Sequence, residues 1–269
     1  MRPVSIPKEI IKFIDNSTDK VKLSEKASNA YKLATGPIPE ISIVMPAYNE
    51  EESIVSTLAS LCLNKVSKTI EIIVVNNNSA DQTQALIEAC GVQCINEYKQ
   101  GITHARNAGL SHAKGKYILN ADADTIYPEN WIELMTKPLI EDPAVAITYG
   151  RFSLIPTQGT KRLTYFFYEY LAELSRLYNK RFKDEAVNVY GFNSGFRREQ
   201  GLTVDSFNHP AGTNEDGWLA IKLRTKGYGK LHCVKDIKAL VWTTDRRIQI
   251  DGGLVKGTII RFKRLFNIS

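Results

Sequence analysis

No apolar run in this 269-residue chain approaches the roughly 20 residues that a helix needs to cross a bilayer, so no spanning segment is expected. The start, MRPVSIPKEIIKFIDNSTDK, is also unlike a signal peptide, because Lys and Asp interrupt its short apolar stretch. Cysteine is sparse. Cys62, Cys90, Cys94 and Cys233 form no paired framework, which fits a reducing compartment, and a cytoplasmic protein is expected. The CGVQC spacing has no second pair or histidine beside it, so buried thiols are expected there rather than a zinc site. Internal repeats and low-complexity stretches do not occur either.

The remaining composition is that of a globular protein, 43% hydrophobic and 24% charged, long enough for one large α/β domain with extensions or two small domains. A formal net charge of +6 suits an anionic substrate, a membrane surface or nucleic acid. The lysines are dispersed and no recognition motif is present, so nucleic acid is not an expected partner.

Residues 1–39 read as a helical arm or linker, with Ile6, Ile10, Ile11 and Phe13 among lysines and the breaker-rich TGPIPE at its end. From Ile41 the pattern alternates. ISIVMP, IEIIVV, VQCI, KYILNA and AVAITYG read as strands. Between them lie helices in NEEESIVSTLASLCL, with Glu50 to Glu52 in its first turn, in DQTQALIEAC, in ITHARNAGLSHAKG, and in PENWIELMTKPLI, opened by Pro128. In the third of these Ile102, Ala105, Ala108, Gly109 and Ala113 share one face. Strict alternation implies right-handed crossovers and a mainly parallel, Rossmann-like sheet flanked by helices, with ligands beyond the carboxyl ends of its strands. The domain is expected over 40–250, a nucleotide-facing half at 40–150 and an acceptor-facing half at 151–250, followed by a basic tail at 251–269.

In YILNADADTIYP a strand runs into Asp122 and Asp124. Side chains two apart on an extended segment point the same way, and two carboxylates about 4 Å apart repel by on the order of 4 kcal/mol at an effective dielectric near 20. A divalent cation offsets that repulsion; Mg²⁺ or Mn²⁺ accepts one or two carboxylates and completes its shell with water and phosphates. The alternative is a solvated turn capping the helix after Pro128.

SIVMPAYNEEESI, EIIVVNNNSADQT, GITHARNAGLSHAKGKYILNADADTIYP and GTNEDGWLAIKLRTKGY occur in this order, and together they resemble glycosyltransferase family 2, inverting nucleotide-sugar transferases of the GT-A fold. The resemblance covers roughly 41–247. It implies that Pro46, Ala47, Tyr48 and Glu50 line the nucleoside pocket. Asn76 and Asn77, followed by Asn78, stand where the family commonly has two aspartates, one of them at the base; uracil is the default base and guanine the next. Arg106 matches a position near the nucleotide, Asp122 one near the ribose or a metal-bound water, and Asp124 the metal contact. The implied base for the acceptor hydroxyl is Asp216 of the pair Glu215 and Asp216, and a helix N-terminus there would keep it ionised. TNED also reads as a capping box, with Thr213 as N-cap.

Asn193, Ser194 and Gly195, in YGFNSGFRRE, resemble the acceptor-side segment. Many relatives have a metal-completing histidine where this chain reads LVWTTDRRIQ; His232 is earlier and is expected to pack near a strand, and Arg246 and Arg247 are candidates to meet the diphosphate. The implied partners are a nucleotide-sugar donor, uridine diphosphate carrying it before guanosine diphosphate, and a glycan or lipid-linked acceptor in surface polysaccharide or glycolipid synthesis. Tyr165, Phe166, Phe167, Tyr168 and Tyr170 are too close together for one helix face, and core packing is expected for at least half of them. The tail KGTIIRFKRLFNIS suits peripheral contact with anionic lipid on the inner face of a membrane. Two other readings remain: a silent nucleotide-binding assembly module, marked by loss of the acidic residues, and a sugar nucleotidyltransferase, whose Gly-rich, Arg-bearing loop PAYNEEES does not provide.

Overall fold

The computed structural model describes residues 2–15, 19–157, 159–250 and 252–254; most of the expected basic tail lies outside them. The first helices, Lys8–Ile14 (α1) and Lys20–Ala34 (α2), bury Ile10, Phe13, Leu23, Ala27 and Tyr31 in the main core, while Ile11 faces solvent. Tyr31 accepts a hydrogen bond from the Ile72 backbone, so the N-terminal segment is pinned to the central sheet.

The continuous apolar runs form Ile41–Ala47 (β1) and Ile70–Asn76 (β2), parallel strands covered on both faces. Ile54–Cys62 (α3) joins them. Glu50 to Glu52 form a turn ahead of α3 rather than its first turn, because their polar groups are engaged across the loop: Glu50 takes the Ser53 hydroxyl and Glu51 the Gln82 backbone. Thr83–Ala89 (α4), Gln93–Asn96 (β3), Ile102–His112 (α5) and Tyr117–Asn120 (β4) complete the alternation. The buried face of α5 is Ala105, Arg106, Gly109 and Leu110, and Ile102 is exposed. Gly109 allows α5 onto the sheet, since a Cβ there would overlap the Val44 side chain.

Thr125–Ile126 (β5), Trp131–Glu141 (α6), Val145–Tyr149 (β6) and Phe152–Ile155 (β7) follow. Pro128 precedes α6 instead of opening it, its carbonyl closing a turn onto the Trp131 backbone. Then come Arg162–Phe182 (α7), Ser194–Arg197 (β8), Arg198–Thr203 (α8), Glu215–Thr225 (α9), Lys230–Cys233 (β9), Val241–Thr244 (β10) and Arg246–Ile250 (α10).

The main sheet has the order β3-β2-β1-β4-β8-β6-β9, parallel except where β8 enters between β4 and β6; a small second sheet is ordered β5-β10-β7. The chain runs outward from β1 to β3 and returns to β4 on the other side of β1, so the switch point lies between β1 and β4. PAYNE and DAD leave the sheet there. Among the described residues no helix is long and apolar enough to cross a membrane.

Candidate active site

The turn after β1 is joined to the turn after β2. Asn49, at φ 52°, accepts from the Ala80 backbone through its side chain, and its own N–H donates to Ser79. Pro46 and Ala47 close β1 and Tyr48, 52% exposed, faces the opening. The three asparagines hold the loop after β3. Asn76 donates to Asn96 and Gln84, Asn77 donates to the carbonyls of Glu97 and Lys99 and accepts from Gly101, and Asn78, at φ 65°, donates to the Tyr98 carbonyl. The Asn77 amide is therefore saturated by protein, while Asn78 is exposed at the rim.

Asp122 and Asp124 sit in the turn between β4 and β5 rather than on the strand itself. The alternation nevertheless holds: Ala121 and Ala123 pack inward and both carboxylates face the cleft side. Neither caps α6, whose N-cap Asn130 makes no side-chain cap bond. The Tyr127 hydroxyl accepts from the Asp122 backbone and donates to the Phe192 carbonyl, which fixes the turn.

At the centre is Arg106, 2% exposed, delivered by the buried face of α5. Its guanidinium donates to Asp122 at 2.8 Å and lies 3.5 Å from Asp216 and 3.7 Å from Glu215. One cation thus joins the acidic turn after β4 to the start of α9. Gly191 completes the cluster, because a Cβ there would meet the Arg106 guanidinium and lie 2.5 Å from an Asp216 oxygen. Gly191 carries no signal of this role within YGFNSGF; only the fold puts it beside Asp216.

The cap of α9 is Asn214, which accepts from Gly217, while the Thr213 hydroxyl donates to the Pro210 carbonyl. Asp216 is therefore not used as a cap. Burial works against the expectation that a helix N-terminus keeps it ionised. It raises the group to about 7, Arg106 opposes that rise, and Glu215 and Asp122 add to it. One oxygen of Asp216, Oδ1, has no hydrogen-bond partner. Asp122 keeps a third of its side chain open to solvent yet lies deep enough among protein atoms to rise to about 6, against the pull of Arg106 and with the push of Asp124.

Asp124 Oδ2 accepts from Thr244 at 2.9 Å and lies 3.4 Å from Arg246. Arg246 makes a two-pronged pair with Glu50. The expected diphosphate contact thus serves here as the cation between Glu50 and Asp124, since two carboxylates lie within its reach. Arg247 is exposed on α10. Thr244 occupies the stretch where the histidine was sought, and His232 lies on β9 as expected.

Among the described residues no donor bonds Asp122 Oδ2 or Asp124 Oδ1, and no group of three or more His, Cys, Asp or Glu forms a cage. Two open carboxylate oxygens with no cage suit Mg²⁺ or Mn²⁺, which leave most positions to water and phosphate.

Asn193, Ser194 and Gly195 do not serve as an acceptor surface. Asn193 accepts from the Trp131 indole and donates to the Arg151 carbonyl, Ser194 accepts from Asn120, and a Cβ on Gly195 would lie 2.5 Å from Leu119. These residues are 1% exposed at Asn193 and Ser194, and they belong to the packing of β8.

A family model described as "Glycosyl transferase family 2" matches residues 42–200. The chain is 29% identical over 119 residues to the UDP-Glc:alpha-D-GlcNAc-diphosphoundecaprenol beta-1,3-glucosyltransferase WfgD of Escherichia coli, covering 43% of this chain and 46% of that enzyme. It thus spans less than half the length of that relative. TarS 1-349 of S. aureus, solved with UDP, superposes with TM-score 0.59 at 18% identity over 76% of this chain and 60% of that one. The mannosyltransferase PcManGT of Pyrobaculum calidifontis, solved with GDP-Man and Mn2+, does so with TM-score 0.57 at 19% identity over 90% and 75%. At such identities the likeness shows the fold, which is GT-A. With the family model matched over more than half of its length, the chain belongs to glycosyltransferase family 2.

Proposed function

We propose that the protein transfers a sugar with inversion from a uridine or guanosine diphosphate carrier to a hydroxyl on a glycan or lipid-linked acceptor, using a divalent cation, in the building of a surface polysaccharide or glycolipid. The observation that carries this is the Arg106 cluster, in which one buried guanidinium holds a donor-side carboxylate, Asp122, and an acceptor-side carboxylate, Asp216, in a single site.

Asp122 and Asp124 would hold Mg²⁺ or Mn²⁺, which neutralises charge developing on the leaving diphosphate. Pro46, Ala47, Tyr48 and Asn78 form the nucleoside side, with Asn76 and Asn77 setting the loop that borders it. Asp216 takes the proton of the acceptor hydroxyl. Its Oδ1 accepts no hydrogen bond within the protein, which supports that role, and Arg106, 3.5 Å from the same oxygen, balances the charge of its ionised form. Arg246, on the rim, exchanges its carboxylates for the diphosphate when the cation is bound. The acceptor meant for WfgD is a lipid-linked diphosphate, which favours the lipid-linked class here.

The test is a thermal-shift panel of nucleoside diphosphates with and without Mn²⁺. A ligand at about 100 times its Kd adds roughly 2.7 kcal/mol of stability. Stabilisation by one diphosphate only with the metal is the expected result; equal shifts without metal would remove the cation from the reading.

A further inference from the structure

The long helix α7 is amphipathic in reverse. Its 21 residues, about 31 Å of helix, turn charged and polar groups toward the protein. Glu169, 2% exposed, takes two donors from Arg162 and lies 3.6 Å from Arg2, and Asn179 donates to Asn188. Toward solvent it presents Leu163 (53% exposed), Phe167 (61%), Leu171 (60%), Leu174 (62%) and Leu177 (56%), with Phe182 (67%) at its end. Helices of soluble domains have the opposite arrangement, and an unbroken exposed apolar face of this length marks a contact surface.

The charges say what it contacts. Both carboxylates of α7, Glu169 and Glu173, are turned inward and paired with Arg2, Arg162 or Arg176. The exposed charged residues at its ends are Lys161 on one side and Arg181, Lys183 and Lys180 on the other, Lys180 being paired with Glu185 at 2.7 Å. Tyr170 and Tyr178, each 40% exposed, edge the apolar face, as aromatic residues do at a lipid interface. A second copy of the chain would be a poorer occupant: Arg181 lies in line with the leucines and would enter the apolar seam of any paired helix. Leu254 packs against the cluster formed by Leu154, Tyr165 and Ile248.

We propose that α7 docks flat on an anionic lipid surface, its leucines and Phe167 among the acyl chains and its basic ends at the headgroup phosphates. From Asn188, which α7 holds through Asn179, the chain reaches Gly191 and Asp216, so the helix borders the acceptor side of the site. A lipid-linked acceptor would then reach Asp216 from the surface on which α7 rests. That last step depends on Asp216 being the base; the docking does not.

Flotation of the full chain with phosphatidylglycerol-containing vesicles, against phosphatidylcholine alone, tests it. The double variant Leu171→Glu/Leu174→Glu changes only exposed positions, so its unfolding temperature should match the wild type. Its partition onto the anionic vesicles should fall by about tenfold or more. Lys180→Ser/Arg181→Ser/Lys183→Ser should weaken binding and flatten its salt dependence. Unchanged flotation of the double glutamate variant would overturn the proposal. So would a wild-type dimer in light scattering that this variant converts to monomer without any vesicle binding, which would assign the face to a second copy. Release of nucleoside diphosphate from donor in solution should be the same in both proteins, so a failed docking test leaves the transferase reading standing.

Discussion

Replacing Arg106 with methionine keeps the volume of the side chain and removes the one cation that three carboxylates share. At the observed separations of 2.8, 3.5 and 3.7 Å, each pair contributes about 5 kcal/mol of attraction at an effective dielectric near 20, with the Asp122 share discounted because that group is a third exposed. Most of this offsets the desolvation of the charges. Breaking such a buried set by removing one member leaves a net cost of about 3–5 kcal/mol. For a chain of this size that lowers Tm by roughly 6–20 °C. The loss should depend on pH in a definite direction. Without Arg106 the folded pKa values of Asp122 and Asp216, already about 6 and about 7, rise further above the ordinary value of 3.8. The folded variant then binds protons that the unfolded chain does not, and its stability falls as pH rises through that window. The deficit relative to wild type should therefore be larger at about pH 8 than at about pH 5.5. Calorimetric unfolding at the two pH values measures it. A deficit below about 1 kcal/mol at the higher pH, or one that is equal at both, refutes the idea that Arg106 balances this cluster.

Asp216→Asn should leave calorimetric affinity for the nucleoside diphosphate intact and lower transfer by about 100-fold or more. Wild-type activity in that variant would reassign Asp216 to structure. Asp124→Ala should abolish the Mn²⁺-dependent part of nucleotide binding, read by titration with and without metal, and an unchanged metal dependence contradicts the site. Arg246→Gln should shift stability by less than about 1 kcal/mol, since the arginine is half exposed, and weaken Mn²⁺-dependent nucleotide binding, since the diphosphate loses a cationic partner. Tighter binding would instead make Arg246 chiefly a competitor of the cation for Asp124.

The strands and the acidic turn were legible because their signals are local. β1 and β2 are uninterrupted apolar runs, and the alternation of Ala121 and Ala123 with Asp122 and Asp124 carries the inward and outward directions even in a turn. What was not legible depends on partners far along the chain. Arg246 meets Glu50 across 196 positions, and Trp131 claims Asn193 across 62, so neither role follows from neighbours. The same holds for α7. Of its five clustered aromatics only Tyr165 is fully buried, Phe166 and Tyr168 are half-buried, and Phe167 and Tyr170 are exposed, because the inner side is taken by ion pairs to Arg2 and Glu169 that periodicity does not register. The rise at Asp216 is hidden for a related reason: the sequence locates it at a helix start but does not reveal its depth.

Asp245 sets the shelf on which the two residues touching Asp124 are mounted. It has no exposed surface, and its oxygens are occupied by Thr157, Tyr165 and Gln249. Thr244 and Arg246 stand on either side of it, so their height above the cleft is determined by a group with no exposed surface of its own. Exchanges at 244 and 246 would alter chemistry at a constant position. Exchanges at 157 or 165 would tilt the mounting itself, which makes those two remote positions the adjusting points for how Thr244 and Arg246 meet Asp124.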